Sequence, residues 1–385
     1  MRKHLFLFVA VLVLATAPAA LRAAPADAGV KPKEIVIGQC AALTGPAAGL
    51  GTGVQQGLKA AIDEVNEKGG VGGRKIVLKS MDDAYEPEKC VECTGKLIEE
   101  DGGVFALAGY VGTPTTKVAV PIVQESKVPL VGAFSGAMLL RDPVQKYVFN
   151  IRASYNDETE SLVEYLTKKG AKKIAVFYQN DSFGQAGLSG VEKAVAKRNM
   201  TIAAKGSFER NTLAVKSGLA AVMAGEPDAI VMVAPYKPTA EFVRQARAAG
   251  LKSELTTISF VGTENLIADL GADSEGVLIS QVVPSPADSS HKLTQEYQAA
   301  LKKSAPDATP SYVSFEGYIN GRVLIAGLQK AGAEPTREQL VEALNATANV
   351  DMDGMKISFS AQNHQASNTV FLTRVKAGKA TPVGQ

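Results

Sequence analysis

The stretch EIVIGQCAALTGPAAGLGTGVQQGLKAAIDEVNEKGGVGGRKIVLKSM, residues 34–81, changes its apolar period twice. EIVIGQ is a short β-branched run and predicts a strand. Val54, Leu58, Ala61, Ile62 and Val65 then recur at helical spacing, and the glycines of EKGGVGGRK stop that helix. KIVLKSM restores the strand pattern. A strand, a helix and a strand in this order form the unit from which parallel sheets are built, with helices on both faces.

The rhythm continues outward. Cys90, Val91, Thr94, Leu97 and Ile98 mark a second helix, VFALAG and VPLVGA the third and fourth strands, and Thr116 to Glu125 a helix between them. It restarts after VFNI, with strands predicted at KIAVFYQN, TIAAKGSF, AIVMVA, TTISFVG and GVLISQVV. Helices are expected at 183–197, 212–224 and 240–249, then across 299–345, with GMKISF and NTVFLTRV as closing strands. At 385 residues the chain exceeds the ~250–300 at which one core stops growing. Two doubly wound α/β lobes are the expectation. RASYNDE near residue 152 and VVPSPADSS near 283 are the candidate crossings, short and stiff enough to suit a hinge.

The N-terminus, MRKHLFLFVAVLVLATAPAALRAAPADAG, has a positive start, an apolar run from Leu5 to Ala15 and small residues beyond it. It reads as a secretory signal peptide cleaved between Ala19 and Ala26, since the run falls short of the ~18–20 residues a membrane span needs. Without its Arg2, Lys3 and Arg22, 38 basic residues stand against 39 acidic ones. That balance leaves no electrostatic footprint for nucleic acid. Of three cysteines, Cys90 and Cys93 lie on one helix face, where an oxidising compartment would let them pair. The alternative is two small buried apolar side chains.

Catalytic chemistry finds no candidate group. There is no Gly-x-Ser-x-Gly elbow, no His-Glu-x-x-His and no phosphate loop. GLGTGVQQG, residues 49–57, has the wrong spacing for a dinucleotide fingerprint. His291 and His364 sit in polar contexts that suggest solvated rings, and Asp82-Asp83 and Glu99-Glu100 suggest solvated faces. No cofactor and no metal is expected.

Binding is better served. In a doubly wound sheet, ligands collect beyond the carboxyl ends of the strands. Three such ends carry glycine, small hydroxyls and a helix start: LTGPAAGLGTG, GYVGTPTT and GAFSGAM. Gly112 and Gly136 bare the backbone, while Thr113 and Ser135 add hydroxyl donors, a set suited to a carboxylate. In the second half, Phe183 and Tyr236 open helices, and SFVGTEN offers Ser259, Thr263 and Glu264. Rings there would cover a ligand and exclude water.

Residues 35–78, MDDAYEPEKC, DSFGQAG, EFVRQARAAG and GADSEGV, in this order, resemble the amino-acid-binding proteins of ABC importers. These are the type I group typified by the leucine/isoleucine/valine-binding protein, and the resemblance runs from about Glu34 to Val375. It implies two lobes joined by three crossings, closing over one small-molecule ligand, an amino acid or related acid. It further implies a monomer in the periplasm that delivers to ABC permease subunits of the inner membrane. The alternative is a ligand sensor that signals to a receptor. The expected lobes are residues 33–152 with about 283–353, and 153–282 with about 354–385, after a signal peptide at 1–26. By the resemblance, Thr113, Ser135 and Gly136 match the carboxylate-holding positions. Leu50 lines the pocket, and Phe183 and Tyr236 match second-lobe aromatics. Ser259 stands where the branched-chain binders carry a glutamate for the ligand ammonium, with Glu264 the nearby substitute. Tyr85 and Gly112 stand where some relatives carry a bridged cysteine pair.

Overall fold

The computed structural model describes residues 27–352 and 355–383, so the expected signal peptide lies outside the described residues. The chain opens with β1 (Glu34–Ala41), α1 (Ala48–Glu67) and β2 (Lys75–Asp82), the strand–helix–strand unit expected from the period changes. It continues through α2 (Pro87–Glu99), β3 (Ala106–Ala108), α3 (Thr113–Ser126), β4 (Leu130–Val131) and β5 (Val148–Phe149). These strands form a five-stranded sheet in the order β2-β1-β3-β4-β5, parallel throughout. β1 is an interior strand and its side chains from Ile35 onward are buried, as a continuous apolar run predicts; β2 is the edge and stays partly exposed.

The second lobe is built from α4 (Tyr155–Lys168), β6 (Ile174–Gln179), α5 (Ser182–Ala196), β7 (Ile202–Phe208), α6 (Lys216–Met223) and β8 (Ala229–Val233). After these come α7 (Tyr236–Ala248), β9 (Glu254–Thr257), α8 (Thr263–Leu270) and β10 (Leu278–Gln281). The chain then returns to add α9 (Lys292–Ser304), α10 (Tyr312–Ala331) and α11 (Arg337–Asn345), of which α9 and α10 pack on α1. Gly57 and Gly317 make that packing close: a Cβ on either would fall within 2.4 Å of the facing helix's carbonyl oxygen. A hairpin of β11 (Val350–Met352) and β12 (Met355–Ile357) leads on to β13 (Phe371–Lys376) and β14 (Lys379–Pro382).

The second sheet runs β14-β13-β10-β9-β8-β6-β7, parallel from β10 to β7, with β13 antiparallel to β10 and turning back as β14 at the edge. Asn150 bonds His364 and Ala366 through the backbone before the chain enters β13. Two sequence expectations need correction. His364 is buried, stacked on Phe149 at 4.1 Å, with its ring nitrogens on Gln145, Val148 and Asn345. Cys93 pairs with Cys40, not Cys90, which is a free buried thiol. Side chains three apart on a helix have Cβ atoms ~5–6 Å apart, beyond the ~4 Å of a disulfide, whereas α2 lays Cys93 directly on β1.

Each sheet changes winding direction once among its parallel strands, between β1 and β3 and between β6 and β8. The chain after β1 and β3 meets the chain after β6 and β8, where Gly49 N–H reaches Tyr236 Oη and α3 packs on α5; in such sheets ligands collect beyond the carboxyl ends at the switch points. Among the described residues, no helix is long and apolar enough to cross a membrane.

Candidate ligand-binding site

In the first lobe the loops after β3 and β4 meet. Thr113 opens α3 and its Oγ1 lies 2.8 Å from Ser135 Oγ, both side chains fully buried. Ser135 Oγ also accepts the Ala137 N–H at 3.3 Å. The neighbouring hydroxyls are used differently. Thr115 and Thr116 donate back to the Val111 and Gly112 carbonyls at 2.6 Å each, and Tyr110 bonds Thr94 within the core. Only Thr113 and Ser135 remain as a facing pair. Gly112 holds φ at +102°, and a Cβ there would strike the Tyr85 ring at 2.2 Å. Gly136 is equally constrained: its carbonyl accepts the Tyr155 N–H at 2.7 Å, and a Cβ would lie 2.5 Å from that ring.

Tyr155, absent from the sequence expectation, thus sits directly over Ser135 and Gly136. Its phenol is fully buried and Oη has no hydrogen-bond partner. Burial pushes its pKa to about 12, although Arg152, the Gly136 amide and the Ser135 hydroxyl pull it back. Phe183 closes from the second lobe, its ring 5.5 Å from Tyr155 and 4.4 Å from Phe260. Phe183 is positioned by Asp181, which caps α5 by accepting the Phe183 and Gly184 N–H groups. Phe260 lies in the 3-10 turn Ser259–Val261, where the sequence predicted a continuing strand. It reaches Phe134 at 5.4 Å and Tyr85 at 6.2 Å, both in the first lobe.

Tyr85 comes from a strained turn, with Ala84 and Tyr85 at φ of 48° and 62°. Asp82 and Asp83 hold it. Asp82 accepts the Leu43, Thr44 and Ala84 N–H groups, and buried Asp83 accepts that of Tyr85. Asp82 stays exposed as expected, while buried Asp83 corrects the expectation of a solvated face, because a turn of left-handed residues needs backbone acceptors of this kind.

Leu50 and Tyr236 form a second contact between the lobes. Tyr236 Oη accepts the Gly49 N–H at 3.1 Å, and Leu50 packs against the Gly262 turn. Glu264 lies on that side, accepting the Tyr312 N–H at the start of α10 at 3.1 Å, and burial pushes its pKa up to about 7. Its carboxyl is turned to a first-lobe helix end and not to the Thr113–Ser135 pair.

Ser259 leads to a cluster of buried charges. Glu158 accepts the Ser259 N–H at 2.8 Å, the Ser259 hydroxyl at 3.1 Å and the Ser280 hydroxyl at 2.6 Å. Arg152, on the first crossing, donates to Glu158 at 2.9 Å and to Ser259 Oγ, and faces Glu316 of α10 at 3.5 Å. Its guanidinium also lies 4.9 Å from the Phe134 ring centre. Burial pulls the Arg152 pKa down, but Glu316 and Glu158 more than reverse it. Burial pushes Glu316 up to about 7 against the pull of Arg152. Arg141, beside them, donates to the carbonyls of Ser135, Ala137 and Arg152, with its own pKa brought down to about 10 by burial.

Of the residues singled out from sequence, Gly112, Thr113, Ser135, Gly136 and Phe183 converge; Leu50, Tyr236 and Glu264 line a neighbouring contact, and Ser259 joins the charge cluster. Tyr85, Phe134, Arg152, Tyr155, Glu158 and Phe260 were missed. RASYNDE was marked as a crossing, and a crossing must pass the cleft; that was the available signal for Arg152 and Tyr155.

Among the described residues one three-group cluster has metal-ligand spacing, Cys40, Asp83 and Cys90. Cys40 is held in its disulfide, which leaves too few donors.

The family model described as periplasmic binding protein matches residues 34–380. Leu/Ile/Val-binding protein BraC3 of Rhizobium johnstonii is 27% identical over 379 residues, 96% of this chain and 99% of that one. The crystal structure of a possible leucine/isoleucine/valine-binding protein from Rhodopirellula baltica has a TM-score of 0.88 at 35% identity, over 94% of this chain and 98% of that one. A substrate-binding periplasmic protein from Ralstonia solanacearum gives 0.86 at 29% identity, over 91% and 100%.

Proposed function

The chain belongs to the periplasmic binding protein family, whose members are solute-binding proteins and not enzymes, and from that premise we propose a specific role. It captures a small carboxylate-bearing solute between its lobes, outside the cytoplasm, and delivers it to the permease subunits of an ABC importer. The lobes in this reading are residues 33–152 with 283–366, and 153–282 with 367–383, acting as a monomer.

The observation that carries the reading is the Thr113–Ser135 hydroxyl pair, set between the bare backbone of Gly112 and Gly136 and roofed by Tyr155 and Phe183. Two hydroxyls that bond one another can both turn to a carboxylate, whose oxygens are better acceptors than either. Rings from the second lobe exclude water from that contact. A solute touching both lobes stabilises only the closed arrangement, so binding and closure are one equilibrium. The names of the relatives, which specify leucine, isoleucine and valine, support a small organic acid as the solute class.

A dye-based thermal screen of amino acids, aromatic acids and amides identifies a ligand, since saturation at ~100 times Kd adds about 2.7 kcal/mol. Dye or calorimetry is required because the chain has no Trp. Thr113→Ala and Ser135→Ala each weaken calorimetric affinity for the best acid by about 1–3 kcal/mol, the range for a hydrogen bond to a charged group. Unchanged affinity in both variants removes the pair from the site.

A further inference from the structure

We infer that the solute is an aromatic carboxylate without an α-ammonium group. The inference rests on the capture reading above and names the chemistry of that same cleft.

An amino acid brings a cation that must find an acid. Each acid near the cleft is engaged by the protein's own donors, Asp83 through one oxygen only. Glu158 accepts from Arg152, Ser259 and Ser280. Asp181 and Glu86 share Arg210, and Glu316 faces Arg152. Glu264 is turned to the α10 end, and the Asp83 carboxyl lies with the sulfurs of Cys40 and Cys90.

At Ser259, the position that the resemblance pairs with an ammonium-binding glutamate, the group present is the Arg152 guanidinium. The cation of that subsite is therefore supplied by the protein. Arg141 adds a second guanidinium behind Ser135. Arg152 is matched by Glu158 and Glu316, whereas Arg141 donates only to carbonyls and forms no ion pair among the described residues. That unmatched guanidinium behind Ser135 favours a carboxylate and repels an ammonium.

The walls give the rest of the ligand its character. Tyr85 and Phe134 come from the first lobe, Tyr155 from the crossing, and Phe183 and Phe260 from the second lobe, packed on one another with ring centres 4.4–6.2 Å apart. A planar ring entering as the lobes part exchanges these ring–ring contacts for its own. Tyr155 Oη is fully buried within reach of the Ser135 hydroxyl and the Gly136 amide, yet makes no hydrogen bond of normal geometry to either. A carboxylate on the hydroxyl pair would accept from it.

Two matched pairs of probes test this by calorimetry on the mature chain: L-phenylalanine with 3-phenylpropanoate, and L-leucine with 4-methylpentanoate. 3-Phenylpropanoate binds at least about tenfold tighter than either L-phenylalanine or 4-methylpentanoate, one unpaired charge or lost ring contact being worth that much. An amino acid that binds tighter than its deaminated partner overturns the inference and leaves the capture reading standing. So does 4-methylpentanoate binding as tightly as the ring compound. Binding by none of the four overturns the inference; the capture reading falls with it only if the thermal screen also finds no ligand. Tyr155→Phe weakens 3-phenylpropanoate about 5–20-fold without lowering the melting temperature of the unliganded protein, because it removes a donor that the fold itself leaves unused. Unchanged affinity in that variant overturns the placement of the phenol in the site.

Discussion

Arg152 and Arg210 each bridge two acids where the lobes meet, and they do so at different depths. Arg152 faces Glu158 and Glu316 with 0% of its side chain exposed; Arg210 faces Glu86 and Asp181 with 23% exposed. Depth changes what the same chemistry does. A fully buried guanidinium that loses its partners, or partners that lose it, leaves charge stranded in a medium that cannot solvate it. A rim pair exchanges its partner for water at little cost. The first cluster therefore belongs to the fold and sets the field of the cleft, whereas the second is free to form and break as the lobes close and part. Asn211 joins the rim latch, donating to Glu86 at 2.6 Å and to the Ala84 carbonyl at 3.2 Å.

The largest expected effect tests the depth argument directly. Arg152→Met leaves Glu158 buried without its cation and lowers unfolding stability by about 3–5 kcal/mol, read by urea denaturation. A loss under about 1 kcal/mol would put Arg152 on the same footing as a surface pair and dissolve the distinction.

Acidity sharpens the comparison next. Burial raises the Glu316 pKa from the ordinary 4.5 to about 7, against the pull of Arg152. Below 4.5 folded and unfolded chains both carry that proton, so its contribution to stability is fully present. Between 4.5 and about 7 the unfolded chain releases it while the folded chain keeps it, and stability falls as pH rises through that window. Glu316→Gln removes this dependence. The variant should lose less stability than the parent between pH 5 and pH 8, by on the order of 1–3 kcal/mol, measured by denaturation at both values. Equal pH slopes in the two proteins would mean that Glu316 is ionised throughout.

The same contrast explains what was legible in the sequence. Strand and helix alternation is local, and so is the glycine–hydroxyl dressing of the strand ends; both the layered fold and the meeting of Thr113 with Ser135 followed from it. Arg152 and Glu158 were not legible, because an acid in the first turn of a helix ordinarily serves the helix dipole in water. Only the arrival of Ser259 and Ser280, more than a hundred residues later, buries this one. The Cys40–Cys93 pair, 53 residues apart, is invisible to helical spacing for the same reason. Asp83 reads as a surface acid until Tyr85 is seen to need its left-handed turn held. His364 reads as solvated until Phe149 is found beneath it. These polar misses share one cause: burial that depends on a distant segment.

The smallest effect concerns the rim. Arg210→Ala should change unfolding stability by less than about 1 kcal/mol, since its pairs are partly exposed and screened. Its influence belongs to closure. Arg210 and Glu86 stand on opposite lobes, so their 2.8 Å contact exists only when the cleft is shut, and losing it weakens ligand affinity by about 2–5-fold at low salt. Raising ionic strength from ~0.01 to ~0.5 M shrinks the screening length from about 30 Å to a few ångströms and erases most of that difference. Calorimetry of parent and variant at the two salt concentrations reads this directly. A loss of affinity that persists unchanged at high salt would mean that Arg210 acts as a buried group, in the manner of Arg152, and that depth below the cleft rim does not separate the two clusters.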